Sequence, residues 1–513
     1  MDSVVTHESR IHCAVARHAR STPDATALIG SGHRISYREL DAAANFYAAE
    51  LDRRGVRPRQ VIPVLVKRSP QLIALHLGIL KCGAAYANLD SRWPAERLAA
   101  ILEQLSPTIA VAADPVDLGR FPVYRPPFED LAIIAAAGAE FSPVMVDDRA
   151  PAVVFFTSGT SGSPKGIVAP HRAATRLFGP GRMDGFGPGH VTPQAAALPW
   201  DMSAFELWGQ LTTGGACALP DNDYLLPDDL RDLVAGAAAD VMWLTSSLFN
   251  VLVDEDPGCF DGMKRIYVGG EAPSAAHARS FIRRHPGIVL QNGYGPAESC
   301  MLTTTRIISD RDCDLPGGIP MGTPLPGTQV LLLDADDQKC AAGRAGEICI
   351  AGDGLAIGYL NDPRLTAEKF PTVEIDGKQV RIYRTGDMGI MDGSGIFHYR
   401  GRNDRQIKMH GHRIELSEIE AATRSLSGVR DCAAVPVFDD GQIGRLALFY
   451  ISDPVHFESQ ASRPEDPLAV GRWLSEKLPP YTVPAVVRQM GRFPVTANGK
   501  LDRRALERLA NGG

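Results

Sequence analysis

PAVVFFTSGTSGSPKG, residues Pro151–Gly166, is the stretch from which the rest of the chain is read. Its first residues form an apolar run of buried-strand character that passes straight into a loop. That loop carries three glycines, four hydroxyl side chains beyond Thr157, and Lys165. Glycine lets the main chain approach an anion closely, and successive N–H groups make a concavity suited to phosphate. The hydroxyls add donors and Lys165 adds charge. The loop is not a Walker A sequence, because Pro164 stands where that motif has glycine and no Ser or Thr follows Lys165. A Gly/Ser/Thr stretch alone is more often a solvated connection; the strand before it and the lysine within it reverse that in favour of a phosphate loop.

Working outward, the 513 residues exceed one compact core, and length alone suggests roughly two to four domains. Hydrophobic residues make up 44% and charged residues 22%, which suits a globular protein with a sizeable core. A net charge of −7 argues against a nucleic-acid partner and against an anionic membrane surface. Nine cysteines are scattered with no CxxC pair and no zinc spacing, so reduced thiols in a cytoplasmic protein are expected. The N-terminus MDSVVTHESRIH has no apolar leader core. No apolar run reaches the length of about 18 residues that a membrane span needs.

The strand before the loop is one of several. Arg34–Gly55 has apolar residues at helical spacing and ends on glycine. Val61–Val66 reads as a buried strand, followed by a helix over QLIALHLGILKCGAAY. This alternation favours a mostly parallel sheet. VMWLTSS, RIYVGG and IVLQNGYG, beginning at Val241, Arg265 and Ile288, each read as an apolar strand ending in small or polar residues. In α/β sheets such strand ends line the ligand crevice. From about Gly327 the texture changes to antiparallel strands joined by Gly and Asp turns. After Gly401–Lys408 come a helix (417–427), two strands (432–438 and 446–451) and a helix (468–478), enough for a small α+β domain.

With the phosphate loop, seven further motifs stand in order. They are LKCGAAYANLD (Leu80–Asp90), PWDMSAFELWG (Pro199–Gly209), NGYGPAES (Asn292–Ser299), GEICIAGDGLAIGYLNDPRLTAEKF (Gly346–Phe370), YRTGDMG (Tyr383–Gly389), GRNDRQIKMHGHRIELSEIE (Gly401–Glu420) and PVTANGKLDRRAL (Pro494–Leu506). Together they make the chain resemble the adenylate-forming enzymes, which include nonribosomal-peptide adenylation domains, acyl-CoA synthetases and luciferases. The resemblance covers almost the whole chain. It implies an α/β fold: a large N-terminal adenylation domain of mixed sheets and helices with a β-barrel-like subdomain, over 1–402, and a small mobile α+β domain over 405–513. Asp404 matches the hinge between them.

The resemblance also implies roles. Such enzymes join a carboxylate to the α-phosphate of ATP and expel pyrophosphate, so alignment and charge neutralisation are what the protein must supply. Thr157, Ser158, Gly159, Thr160 and Lys165 would handle the phosphates, with Thr160 and Lys165 counted among the catalytic residues. Tyr294 would stack on adenine, within Asn292, Gly293, Tyr294 and Gly295, and Gly270, Glu271 and Ala272 would pass beside the ring. Asp387 would hold the ribose hydroxyls, since a carboxylate accepts two hydrogen bonds, and Arg402 would reach the ribose or phosphates. Glu298 matches the magnesium-binding acid, and Lys500 the catalytic lysine that bridges substrate carboxylate and phosphate. Lys408 and Met409–Arg413 belong to the face that serves thioester formation, attack by a phosphopantetheine thiol.

Asp201 aligns with the aspartate that pairs with the α-ammonium of an amino acid, and a buried carboxylate beside an ammonium is a strong pairing. The competing reading makes Asp201 the N-cap of the helix SAFELWGQL. The side-chain pocket would be lined by Met202, Phe205, Trp243, Tyr267, Gly269, Gly293, Met301 and Leu302. Phe205 and Trp243 with Gly269 and Gly293 resemble the valine-selecting pattern, while Met202 and Tyr267 are bulkier, so valine, 2-aminobutyrate or alanine is expected. The chain ends soon after PVTANGKLDRRAL, which implies a freestanding enzyme that meets its carrier protein in trans. Two alternatives stay open: a carboxylic-acid–CoA ligase, against which Asp201 argues, and a non-catalytic binding module, against which Lys500, Glu298 and Asp387 argue.

Overall fold

The computed structural model describes residues 9–30, 32–128, 130–138, 140–157, 164–179, 181–222, 225–403, 405–439, 442–452, 466–494 and 501–511. Two compact units emerge. One comprises Met1–Asp90, Gln104–Phe156 and Gly166–Asn403; the other comprises Ser91–Glu103, Thr157–Lys165 and Asp404–Gly513.

The first unit is organised by four sheets. In the seven-stranded sheet the order is Gly358–Tyr359, Lys165–Pro170, Pro151–Thr157, Ala85–Asn88, Val61–Leu65, Ala110–Ala112, Val123–Tyr124. The run from Pro151–Thr157 to Val123–Tyr124 is parallel throughout, as the βαβ rhythm predicts. A four-stranded sheet joins His33–Ser36, Thr26–Gly30, Ala216–Leu219 and Val191–Pro193. A five-stranded sheet begins with Val241–Thr245, Arg265–Gly269 and Val289–Tyr294, which are mutually parallel, and closes with the antiparallel Thr304–Ile307 and Thr323–Pro324. The β-rich region expected after Gly327 is a five-stranded antiparallel sheet built on the long strand Lys378–Met391.

Two helix expectations are corrected. Arg34–Gly55 is not one helix: His33–Ser36 pairs as a strand with Thr26–Gly30, and the helix runs Tyr37–Arg53. Ser36 sets the boundary, because its hydroxyl accepts the Glu39 N–H while the Glu39 carboxylate accepts the Ser36 N–H, a reciprocal cap that starts a helix. Likewise QLIALHLGILKCGAAY is helical only to Lys81; Gly83, at φ 72°, turns the chain into the strand Ala85–Asn88. Periodicity misses the second boundary because the buried strand Ala85–Asn88 continues the apolar count of the helix.

The second unit holds a hairpin, Gln406–Met409 with His412–Glu415, then the helix Leu416–Arg424. The strands Val429–Asp439 and Gln442–Ser452 pair antiparallel, and Val486–Gln489 adds a parallel third strand. The helices Pro467–Lys477 and Arg503–Ala510 complete it. Glu420, 3% exposed, receives Arg405 and Arg503 and so ties the C-terminal helix to the sheet. All nine cysteines are free thiols. Among the described residues no helix is long and apolar enough to cross a membrane.

Candidate active site

Strand register assembles the pocket floor. Trp243 lies opposite Tyr267, and Gly269 opposite Gly293, on neighbouring parallel strands. Side chains alternate along a strand, so Trp243, Tyr267 and the two glycines at the strand ends present one face. A Cβ on Gly269 would stand 2.1 Å from the Gly293 carbonyl oxygen and 2.5 Å from Trp243 Cη2. Only glycine fits there. A Cβ on Gly293 would meet Leu302 Cδ2 at 3.0 Å.

The wall comes from the helix Asp201–Leu211, where Asp201 and Phe205 are one turn apart and so share a face. Phe205 packs edge-on against Trp243 and Tyr267, with centroids 6.3 and 5.7 Å away, the geometry aromatic pairs prefer. Met202, Met301 and Leu302 are buried with them. The eight expected pocket residues are therefore brought together. The Tyr267 hydroxyl is not a polar group of the rim: it donates to the Asp184 carbonyl at 2.8 Å, and burial raises its pKa. The pocket therefore meets its ring. Trp243 Nε1 is buried with no partner among the described residues. Phe178 and Phe186 stand behind Phe205 and Tyr267 and line a separate cavity of about 1250 Å³ with Arg17, Arg172 and His190.

Asp201 is corrected as a cap. The N-cap position is Trp200, which makes no side-chain capping bond, and Asp201 is the first helical residue. Its Oδ2 instead accepts the Met301 N–H at 3.1 Å, 6% exposed at the edge of the apolar pocket. Its partner segment is unusual: Cys300 and Met301 are non-glycine residues at φ 45° and 75°, each costing about 1–3 kcal/mol and persisting only where the surroundings impose them.

A second group forms where the strand Val289–Tyr294 reaches the antiparallel sheet. The Tyr294 hydroxyl donates to Asp387 Oδ2 at 2.5 Å, and Arg402 donates to the other oxygen, Asp387 Oδ1. Asp387 is opposite Arg402 in register and 3% exposed. Burial, then the Asp387 charge, push the Tyr294 phenol well above its usual range, so it stays a donor. Gly270 turns the chain at φ 79°, and the Glu271 carbonyl accepts the Ser246 hydroxyl at 2.9 Å, fixing the segment that leads to Ala272. The Asn292 amide donates to the Pro320 carbonyl at 2.7 Å, so it braces the strand. A Cβ on Gly295 would sit 2.0 Å from the Met301 carbonyl, which is why the chain is glycine there.

Glu298 is 1% exposed and its Oε1 accepts the Tyr359 hydroxyl at 2.8 Å. No group of three or more His, Cys, Asp or Glu converges among the described residues. One buried, oriented carboxylate fits Mg²⁺, which is commonly held by one or two carboxylates plus water and substrate phosphates. Tyr359, which holds Glu298, is a residue that sequence reasoning passes over, although it lies inside the quoted motif Gly346–Phe370.

Thr157 ends one strand and Lys165 opens the next; both are counted with the second unit, where Lys165 Nζ is 3.8 Å from Glu415 Oε1. Ser158, Gly159, Thr160, Asp404, where a hinge is expected, and Lys500 lie outside the described residues. Lys408 pairs with Arg413 across the hairpin of the second unit.

The geometry sets a buried carboxylate at an apolar pocket, and a hydrogen-bonded carboxylate, tyrosine and arginine cluster at the end of a strand that forms the pocket floor. Comparison with known proteins agrees. Residues 15–360 match the AMP-binding enzyme family and residues 418–500 the AMP-binding enzyme C-terminal domain. The chain is 35% identical to tyrocidine synthase 3 of Brevibacillus parabrevis, over 96% of this chain and 7% of that protein. It is 33% identical to bacitracin synthase 3 of Bacillus licheniformis, over 97% of this chain and 8% of the relative. The chain thus spans a small part of each. The solved structure of holo-PA1221, an NRPS protein containing adenylation and PCP domains bound to a vinylsulfonamide inhibitor, superposes with a TM-score of 0.88. It is 32% identical, covering 99% of this chain and 86% of that one. The chain belongs to the AMP-binding enzyme family, as a ligase of its nonribosomal peptide synthetase adenylation branch.

Proposed function

We propose that the chain activates a small aliphatic amino acid, valine, 2-aminobutyrate or alanine, as its aminoacyl-AMP and passes it to the phosphopantetheine thiol of a carrier protein in the cytoplasm. The observation that carries this reading is the Asp201 carboxylate, buried at an all-apolar pocket and oriented by the Met301 N–H. An ammonium beside it offsets the cost of burying a charge.

In the first step a carboxylate oxygen of the amino acid attacks the α-phosphorus of ATP. The bond from that phosphorus to the bridging oxygen breaks and pyrophosphate leaves. Tyr294, Asp387 and Arg402 hold the nucleoside, with Gly270–Ala272 and Asn292–Gly295 along the ring. Thr157, Ser158, Gly159, Thr160 and Lys165 take the phosphates. Glu298 would hold Mg²⁺, which when bound would neutralise phosphate charge. Lys500 bridges the substrate carboxylate and the α-phosphate, where charge develops. In the second step the thiol sulfur, its proton lost, attacks the acyl carbon and AMP leaves. Two domains, 1–402 and 405–513 with Asp404 as hinge, serve the two steps: Lys500 the first, Lys408 and Met409–Arg413 the second. A hinge of this kind absorbs a backbone rotation.

The test is amino-acid-dependent ATP–pyrophosphate exchange over a panel of amino acids. Valine, 2-aminobutyrate and alanine are expected to lead, overlapping within about 10–200-fold because a methylene is worth little in an apolar pocket. Preference for an acidic, basic or large aromatic amino acid would overturn the pocket reading. Thioester formation on free CoA, with none on a carrier, would overturn the acceptor.

A further inference from the structure

Arg176 stands at the end of the short helix His171–Thr175 and is 4% exposed. A guanidinium has five N–H donors, and here each has an acceptor. Nε faces Thr328 Oγ1 at 3.4 Å; Nη1 donates to the carbonyls of Ala173 (2.8 Å) and Cys300 (3.0 Å); Nη2 donates to those of Ser299 (3.0 Å) and Leu302 (2.5 Å). None of the five acceptors is a carboxylate. Burial lowers its pKa to about 10, so it remains a cation at neutral pH. The cation is thus spent on main-chain carbonyls, three of them in the 299–302 segment.

That segment contains the two left-handed residues Cys300 and Met301. The Cys300 carbonyl and the Met301 N–H belong to one peptide group, and in a trans peptide they point opposite ways. The carbonyl faces Arg176 and the N–H faces Asp201 Oδ2. A single peptide dipole is therefore aligned between a buried cation and a buried anion. Leu302, whose carbonyl Arg176 also holds, packs over Gly293 in the pocket floor. Space for the guanidinium depends on Gly354, where a Cβ would lie 2.4 Å from Arg176 Cζ.

We propose that Arg176 is a positioning residue for amino-acid recognition: through the Cys300–Met301 peptide and the Leu302 carbonyl it fixes Asp201 and the pocket floor in their binding geometry. Arg176 touches no substrate. The proposal rests on the reading of Asp201 as the partner of the substrate ammonium. Glu298 lies in the same loop but has its own anchors, the Tyr359 hydroxyl and the Ala356 N–H on its carbonyl at 2.8 Å. The nucleotide side is accordingly far less dependent on Arg176.

The experiment measures KM for the best amino acid of the panel and for ATP by pyrophosphate exchange. It uses the full chain and Arg176→Gln, Arg176→Lys, Gly354→Ala and Asp201→Asn. Arg176→Gln and Gly354→Ala are expected to raise the amino-acid KM by about 10–100-fold, the scale of losing charge-assisted hydrogen bonds. The ATP KM should stay within about threefold, since those anchors are untouched. Arg176→Lys should recover only part of the loss, because an ammonium is a point charge without the guanidinium fork. Equal rises in both KM values, or a folded Arg176→Gln with wild-type amino-acid KM, overturns the proposal. Loss of the folded state in all three Arg176 and Gly354 variants assigns the residue to stability and also overturns it. If Asp201→Asn shows no amino-acid KM effect while Arg176→Gln does, the reading of Asp201 has failed, and the role of Arg176 through Asp201 falls with it. If Asp201→Asn alone shows the effect, that reading stands and the proposal for Arg176 does not.

Discussion

Replacing Glu206 by glutamine tests the helix that carries Asp201 and Phe205. Glu206 is fully buried; its Oε2 accepts the Ala196 N–H at 2.9 Å, and its Oε1 has no partner among the described residues. Burial pushes its pKa up to about 8, with the Ala196 N–H and Arg68 pulling the other way. In the unfolded chain a glutamic acid releases its proton near pH ~4.3. Between these values the folded state binds more protons than the unfolded one, so stability falls as pH rises; it is fully present below the unfolded pKa and lost on passing through the folded one. The slope approaches ~1.4 kcal/mol per pH unit, and from pH ~6.5 to ~8.0 it sums to about 1.5 kcal/mol after the curvature near the folded pKa. Glutamine keeps the shape and the neutral charge and has nothing to titrate. Urea unfolding at both pH values, followed by tryptophan fluorescence, should show the wild type losing about 1.5 kcal/mol more than Glu206→Gln. Glu418, raised to about 7 by burial, contributes a slope of the same sign to both proteins and cancels. Equal losses in the two proteins would refute a protonated Glu206.

Other outcomes follow from the same geometry. Gly269→Ala forces a methyl onto the Gly293 carbonyl and Trp243; overpacking of this kind costs ~1–3 kcal/mol, so valine-dependent exchange should fall by at least about tenfold while alanine loses less. Asp387→Asn leaves Arg402 without its carboxylate and should raise the ATP KM by about 10–100-fold with a smaller change for the amino acid, as initial-rate kinetics will show. Lys500→Ala should cripple adenylation yet largely spare thioester formation from preformed aminoacyl-AMP; single-turnover assays of each step, if equally slowed, would contradict separate service of the two steps. Asp201→Ala should weaken amino acids far more than des-amino acids in competition binding, and a uniform loss would return it to a structural role.

The pocket is legible in the sequence where local rules apply. Trp243, Tyr267, Gly269 and Gly293 lie on runs that announce themselves as strands, and parallel register then puts them on one face. The motif order singles out Asp201, Tyr294 and Asp387, and the fold pairs Asp201 with the Met301 N–H and Tyr294 with Asp387. What stays illegible is non-local. Nothing around Arg176 in HRAATRLF signals a partner more than 120 residues away, 123 to 126 positions on. The left-handed turn it holds falls on Cys and Met, neither of which advertises positive φ as Gly or Asn does. Asp201 invites a capping reading because Asp is a good cap; only the fold reveals that the helix starts one residue earlier than that role requires and that the acceptor is spent on Met301.

The pocket is bounded by two materials. Its floor is main chain, the Gly269 and Gly293 peptides in register, and no exchange of side chains can lower a backbone. Its far end is a cluster of rings, Phe205 edge-on to Tyr267 and both backed by Phe186, with Phe178 behind Phe205, and these are side chains that substitution can shorten. On the proposed reading, width is set by the sheet and depth by side chains: a smaller residue at a ring position lengthens the pocket, whereas a broader one demands a different sheet.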